Sequence, residues 1–310
     1  MPTTRGTRRQ HGRERVLLLL CLGTIVFVAV TCARPPAPGG LSTGPAEAPS
    51  PRAPRQVHTA PPDRAETEAP RAESLQPPAG GAHAPQREGP RVAIIIDDVG
   101  HNPADLEPFL ALPQALTFAV LPGLAYSAES AARCREAERE VLLHLPMQPQ
   151  GDQNPGPGAV SVGMEARDLT QTLQQDLAAV PGAVGVNNHM GSRATGDRET
   201  MDAVMRWAGE RGLFFVDSVT GGQSQVPAAA EGAGVPSISR DVFLDGPTVP
   251  EEQMARQVET LGKIALRRGH ALGIGHAHPR TAALLAEALP RLQAQGIRVV
   301  PVSELVGEGQ

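Results

Sequence analysis

From Arg91 onward the chain repeats one pattern, a short apolar run followed by a longer stretch with apolar residues at helical spacing. The runs 92–96, 116–121, 140–145, 183–187, 213–217, 242–244, 271–274 and 297–300 are predicted as strands. The stretches 105–111, 127–138, 166–180, 198–211, 250–268 and 281–295 are predicted as helices. In the third of these, Leu169, Leu173, Asp176, Leu177 and Val180 fall on one face. Strands that alternate with helices are joined by crossovers, so they lie parallel with the helices outside. About seven or eight such units in one domain favour a barrel over an open sheet.

The residues before this region have another character. Arg5, Arg8, Arg9, Arg13 and Arg15 precede an almost wholly apolar run at 16–30, which suits a signal-anchor or signal peptide occupying 1–32. The arginines would stay in the cytoplasm, anchoring the protein in the inner membrane with the domain in the periplasm or exported. Residues 33–90 are rich in Pro, Ala, Gly, Arg and Glu and nearly devoid of large apolar side chains, the composition of a disordered linker. Cys134 is the only cysteine of the 91–310 domain, so no disulfide staples it. The net charge of −5 argues against nucleic acid as a partner, since binding it needs a basic face.

Chemistry concentrates where the strands end. Arg91 to Ile96 runs directly into Asp97 and Asp98, then Gly100. Successive strand residues face opposite ways, so the two carboxylates share a site only if the strand is already ending. The third run ends at His144, the fourth at Asn187, Asn188 and His189, the fifth at Asp217 and Ser218. Arg240, Asp241 and Asp245 flank the sixth, and His276 and His278 follow the seventh. Parallel strands deliver all of these ends to one rim. A carboxylate with two imidazoles is a donor set for a catalytic divalent metal such as zinc.

These motifs resemble the divergent polysaccharide deacetylase family, relatives of the NodB-type carbohydrate esterases. The residues that carry the resemblance are Ile95 to Gly100, His144 to Pro149, Asn187 to Ser192, Phe215 to Ser218 and Gly275-His276, in that order. The resemblance implies an α/β fold, a distorted (β/α) barrel of about seven strands, over 91–310. It assigns Asp97 as general base, Asp98 and His144 as metal ligands, and His276 as catalytic histidine. NodB-type enzymes carry His-x-x-x-His-Pro where this chain has His144 and Gln148, and His189 is the candidate replacement ligand. Asn188, Asp217, Ser218, Arg240 and Asp245 are expected to bind substrate or to orient the catalytic groups.

The implied activity is metal-dependent removal of N-acetyl groups from an envelope polysaccharide, with an N-acetylated glycan such as peptidoglycan as partner. The alternative is a weak or inactive deacetylase-fold domain that binds envelope glycan or a protein. A reporter active only outside the cytoplasm, fused after residue 90, is expected to give signal. Signal from a cytoplasm-only reporter at the same junction refutes the topology.

Overall fold

The computed structural model describes residues 89–246 and 249–306. The expected membrane segment 16–30 and all but the last two residues of the 33–90 linker lie outside them. Among the described residues no helix is long and apolar enough to cross a membrane.

The chain forms β1 (Arg91–Val99), α1 (Glu107–Leu110), β2 (Thr117–Val120), α2 (Ser127–Glu136), β3 (Glu140–Met147), α3 (Ala166–Ala179) and β4 (Gly185–Met190). It continues through α4 (Arg198–Gly209), β5 (Phe214–Asp217), α5 (Val226–Ala233), β6 (Ser237–Ser239) and β7 (Val242–Phe243). It closes with α6 (Glu251–Arg268), β8 (His270–His276), α7 (Pro279–Ala294) and β9 (Arg298–Val299). The strands are ordered β6-β5-β4-β3-β2-β1-β8-β7, and β9 pairs with the first two residues of β1. Every pairing is parallel.

The result is a curled half-barrel, open between β6 and β7. Only Arg240 and Asp241 separate these two strands. Arg240 N–H donates to the Asp217 carbonyl beside β6, while Asp241 N–H donates to the Leu272 carbonyl of β8. Two residues span at most about 10 Å, so this link draws the two ends of the sheet together and imposes the curl.

Ile94, Ile95 and Ile96 are all 0 % exposed because both faces of β1 are covered, which is why the run shows no polar alternation. Ile94 and Ile96 pack outward with Phe118, Leu143, Leu145, Val186 and Phe215 in the layer that meets the helices. Ala93 and Ile95 face inward with Leu142, Phe214, Val216, Leu272 and Ile274, and Val300, Val302 and Leu305 join them from the C-terminal segment. Buried Cys134 belongs to the outer layer.

Eight of the strands and six of the helices coincide with sequence expectations to within a few residues. Two elements were not expected. Strand β6 has Ile238 as its single apolar residue, and α5 carries a proline and a glycine in a short alanine-rich segment. Neither shows a periodic apolar signal, and each is held by its neighbours, β6 by β5 and α5 by α4.

Asp176 does follow its helical pattern, on the buried face of α3, and is 6 % exposed. It lies under Gly158, where a Cβ would stand 2.1 Å from Asp176 Oδ1, and its Oδ2 has no hydrogen-bond partner. Burial pushes this carboxyl up to about 7. The folded chain therefore keeps a proton that the unfolded chain has released, and stability falls as pH rises from about 4 to about 7. Asp176→Asn is expected to be nearly neutral at pH 4 and to stabilise the fold by on the order of 2 kcal/mol at pH 8. Urea unfolding at both pH values checks this, and equal effects at both would exclude the desolvated carboxylate as the cause.

Candidate metal centre

Strand parity decides which rim residues meet. Continuing the inward series by two residues leads from Ile95 to Asp97, from Leu142 to His144, from Val216 to Ser218 and from Ile274 to His276. Paired residues of parallel strands face the same side, and His144 pairs with Asn187, which pairs with Val216. Asn187 therefore points inward too, and His189 lies two residues further along β4.

Asp98 has the wrong parity and reaches the site by another means. Its φ is 60°, a left-handed backbone, and the β1–β2 register shifts between Ile96 and Val99. This local irregularity lets two adjacent carboxylates face one cavity.

Asp98 Oδ1 stands 3.0 Å from His189 Nδ1 and 3.2 Å from His144 Nε2, and the two ring nitrogens are 3.2 Å apart. Asp97 Oδ1 accepts from Asn187 Nδ2 at 2.8 Å, so the Asn187 carbonyl oxygen faces His144 Nδ1, at 2.9 Å. His144 then carries its proton on Nδ1 and turns a bare Nε2 lone pair towards Asp98. The Asp98 Oδ1 atom is buried, and the two ring nitrogens are its only close polar neighbours among the described residues. Lone pairs and a carboxylate oxygen this close repel unless a proton or a cation lies between them. A tetrahedral ion bound at 2.0–2.1 Å spaces its ligands by about 3.3 Å, so the three atoms fit a divalent metal.

The surrounding charges agree. Burial opposes ionisation of Asp98, yet hydrogen bonds and charge from His144 and His189 hold its carboxyl well below the ordinary range. Burial pushes Asp97 above the ordinary carboxylate value, although His144 and His276 pull against it. Burial disfavours charge on His144 as well, but Asp97 and Asp98 outweigh it and raise its affinity for a proton. The site is built to hold positive charge.

Across the cavity, His276 Nδ1 lies 2.7 Å from Asp245 Oδ1, and Asp245 Oδ2 accepts from His276 N–H and the Thr281 hydroxyl. A Cβ at Gly275 would come 3.3 Å from Asp245 Oδ2 and 3.1 Å from Thr281, so the glycine makes room for this pairing. Burial lowers the proton affinity of His276, but Asp245 more than compensates and pushes it up to about 9. His276 Nε2 is left facing Asp98 Oδ2 at 4.0 Å.

Residues 94–306 match the family described as divergent polysaccharide deacetylase. The chain belongs to that family. It is 36 % identical over 220 residues to YibQ of Escherichia coli (strain K12), covering 71 % of this chain and 68 % of YibQ. A protein of Haemophilus influenzae is 33 % identical over 215 residues, 69 % of this chain and 76 % of that protein. The crystal structure of ATU2773 from Agrobacterium tumefaciens C58 superimposes with a TM-score of 0.67 at 30 % identity, covering 74 % of this chain and 92 % of that one.

In this deacetylase-family chain, Gln148 lies just past the end of β3, and its Oε1 accepts from Val162 N–H at 3.0 Å. Four residues along an extended strand span about 13 Å, so position 148 cannot share an ion with His144. His-x-x-x-His spacing needs a tighter backbone, and here the partner imidazole comes from β4 instead.

A cavity of about 450 Å³ opens over the centre, lined by Asp97, Asp98, His144, His189 and His276 together with Asn188, Ser218 and Arg240. Of the residues expected at substrate, Asp217 and Asp245 lie behind this wall. Asp217 Oδ1 accepts from Val219 N–H, and Asp245 serves His276. Asn188 is occupied by Ser218 N–H, the Met190 carbonyl and Thr220 Oγ1, while Arg240 donates to the Ser218 and Val219 carbonyls. His278 caps α7 by accepting from Arg280 N–H, outside the centre.

Sequence reasoning named Asn187 at a strand end without giving it a role, and did not single out Phe243. Asn187 was accessible from parity, two residues before His189. Phe243, 40 % exposed and 5.2 Å edge-on from His276, belongs to a two-residue strand with no local signal of its role.

His189→Ala is expected to lose bound metal, Asn187→Ala to weaken it by about 10–100-fold, and Gln148→His to leave stoichiometry unchanged. Elemental analysis of the purified chains checks all three. Full occupancy in His189→Ala rules out the three-atom centre.

Proposed function

We propose that this chain is a metal-dependent hydrolase that removes N-acetyl groups from an envelope polysaccharide, such as peptidoglycan. The observation that carries the reading is the trio of Asp98 Oδ1, His144 Nε2 and His189 Nδ1 within 3.2 Å of one another, flanked by one buried carboxylate and one charged imidazole. When bound there, a divalent cation such as zinc supplies Lewis-acid polarisation of the acetamido carbonyl and makes water more acidic.

The chain's own groups do the rest. Asp97, made more basic by burial and aimed by Asn187, takes the proton of the attacking water. His276, held protonated by Asp245, donates from Nε2 to the departing sugar amine. Phe243 and the Arg240 stacked 5.0 Å from its ring form the side wall beside that donor. In the same reading, 16–30 tethers the domain to the inner membrane and 33–90 lets it reach its polymer in the periplasm.

The alternative of a domain that only binds glycan drew its support from Gln148. With His189 beside His144 and Asp98, that substitution no longer removes a ligand from the set.

Asp97→Asn is expected to keep the metal and lower turnover of an acetylated glycan by about 10²–10⁴-fold. His276 must carry its proton to act, so activity is lost as pH rises through its pKa. Asp245→Asn removes the carboxylate that raises this pKa and is expected to move the alkaline limb of the pH–rate profile downward. Measured release of acetate across pH decides, and an unmoved limb would exclude His276 as the acid.

A further inference from the structure

The turn after β5 is held more tightly than a strand end requires. Val219 has a φ of 51°, a left-handed backbone that a β-branched side chain resists. Val219 N–H donates to Asp217 Oδ1 at 2.8 Å. Arg240 donates from Nε to the Ser218 carbonyl at 2.7 Å and from Nη2 to the Val219 carbonyl at 3.0 Å. Ser218 N–H donates to Asn188 Oδ1 at 2.9 Å. Strain of this kind persists only where the surroundings enforce it, and here it fixes the direction of the Ser218 side chain.

That side chain lies deep in the catalytic cavity. Ser218 is 6 % exposed and shares the cavity wall with Asp97 and His189. Asn187 pairs with Val216, so two residues further along each strand bring Ser218 to the level of His189. Its Oγ lies 3.5 Å from Asn187 Nδ2, the outer limit of a hydrogen bond, and the same nitrogen donates to Asp97 Oδ1 at 2.8 Å. Two oxygens that share one amide nitrogen are at most about 6 Å apart, so Ser218 Oγ and the Asp97 carboxylate flank one small space.

An amide nitrogen has only hydrogens to give, so Ser218 Oγ accepts in that contact. Its own O–H proton has no acceptor among the described residues. The bonds that residue 218 itself makes in the turn all use its backbone atoms, so the hydroxyl is not what keeps the turn folded.

Amide hydrolysis supplies an acceptor for such a donor. Water adds to the acetamido carbon, its proton passes to Asp97, and the carbonyl π pair moves onto oxygen. Collapse returns that pair, and the C–N bond breaks as the amine leaves with the proton of His276. The oxygen is fully negative only between these two steps. A fixed donor with no partner in the resting site meets that charge without reorganising. A sugar hydroxyl would approach at the rim, whereas Ser218 sits at the depth of His189.

We infer that the Ser218 hydroxyl is a catalytic donor to the oxyanion formed at the acetamido carbonyl. The assignment rests on the hydrolase reading for the identity of the reacting group.

Ser218→Ala removes the donor and keeps the backbone bonds of the turn. In the full metal-loaded chain it is expected to lower kcat by about 10²-fold for acetate release from the β-1,4-linked pentamer of N-acetylglucosamine, with KM within about twofold. Metal content and thermal midpoint are expected to match those of the unsubstituted chain. A second readout is calorimetric titration with the methylphosphonamidate of glucosamine, in which tetrahedral phosphorus replaces the acetyl carbon. Ser218→Ala is expected to weaken this analogue by about 10²-fold. Added to Asp97→Asn, it is expected to leave affinity for the pentamer unchanged. A kcat loss below about threefold, a loss accompanied by loss of metal, or equal weakening of analogue and pentamer overturns the donor. Full turnover in Ser218→Ala leaves the hydrolase reading standing. No acetate release by the unsubstituted metal-loaded chain removes that reading, and the analogue then decides the donor alone, with equal affinity or no binding in both chains overturning it.

Discussion

The seven-residue register between β1 and β8 is the constraint on which the rest of the structure depends. From Arg91 against His270 to Asp97 against His276, each residue of β1 has a fixed neighbour, and a slip of one would turn every side chain to the wrong face. Both faces of β1 are buried, and β2 and β9 complete its other edge. Such a strand cannot shift without exposing its isoleucines. The chemistry at its end therefore rests on the most deeply packed element of the fold, where positions are held most tightly.

That rigidity makes a strained and crowded arrangement tolerable. A left-handed backbone at a residue other than glycine costs on the order of 1–2 kcal/mol, and Asp98 adopts it beside three other groups that would each prefer a different charge state. Asn187 arbitrates among them. By donating to Asp97 and accepting from His144, one amide fixes the orientation of the Asp97 carboxylate and the tautomer of His144. The Asp245 carboxylate does the same for His276 from the opposite wall. Asp97, His144 and His276 are thus each held by a second residue, and Asp98 by its own backbone turn. The same economy extends outward, where hydrogen bonds between the β4 and β5 loops shape the rim without help from regular structure.

Much of this was legible in order along the chain. The alternation of apolar runs with helical patterns placed eight of the nine strands, and the polar residues that follow those runs named Asp97, Asp98, His144, His189 and His276. Periodicity is a local property, and a parallel sheet converts it into a common rim without further information. Strand β6 and helix α5 escaped because their neighbours, not their own side chains, stabilise them. Phe243 escaped although its run, 242–244, was expected, because its contact with His276 is made across the sheet.

The sequence by itself determined the class of fold, the face on which chemistry occurs and the kinds of side chain available to it. Which of those side chains come close enough to share an ion was decided only by the tertiary structure. His144 and His189 are 45 residues apart, and they meet because β3 and β4 pair in one register. Asp98 joins them through a backbone turn whose handedness no periodic pattern records. Gln148, at the spacing that draws attention in the sequence, is carried out of reach by an extended strand and spent on the Val162 backbone. Spacing along a chain becomes distance only after the backbone conformation between two residues is set, and here packing and pairing across the sheet set it.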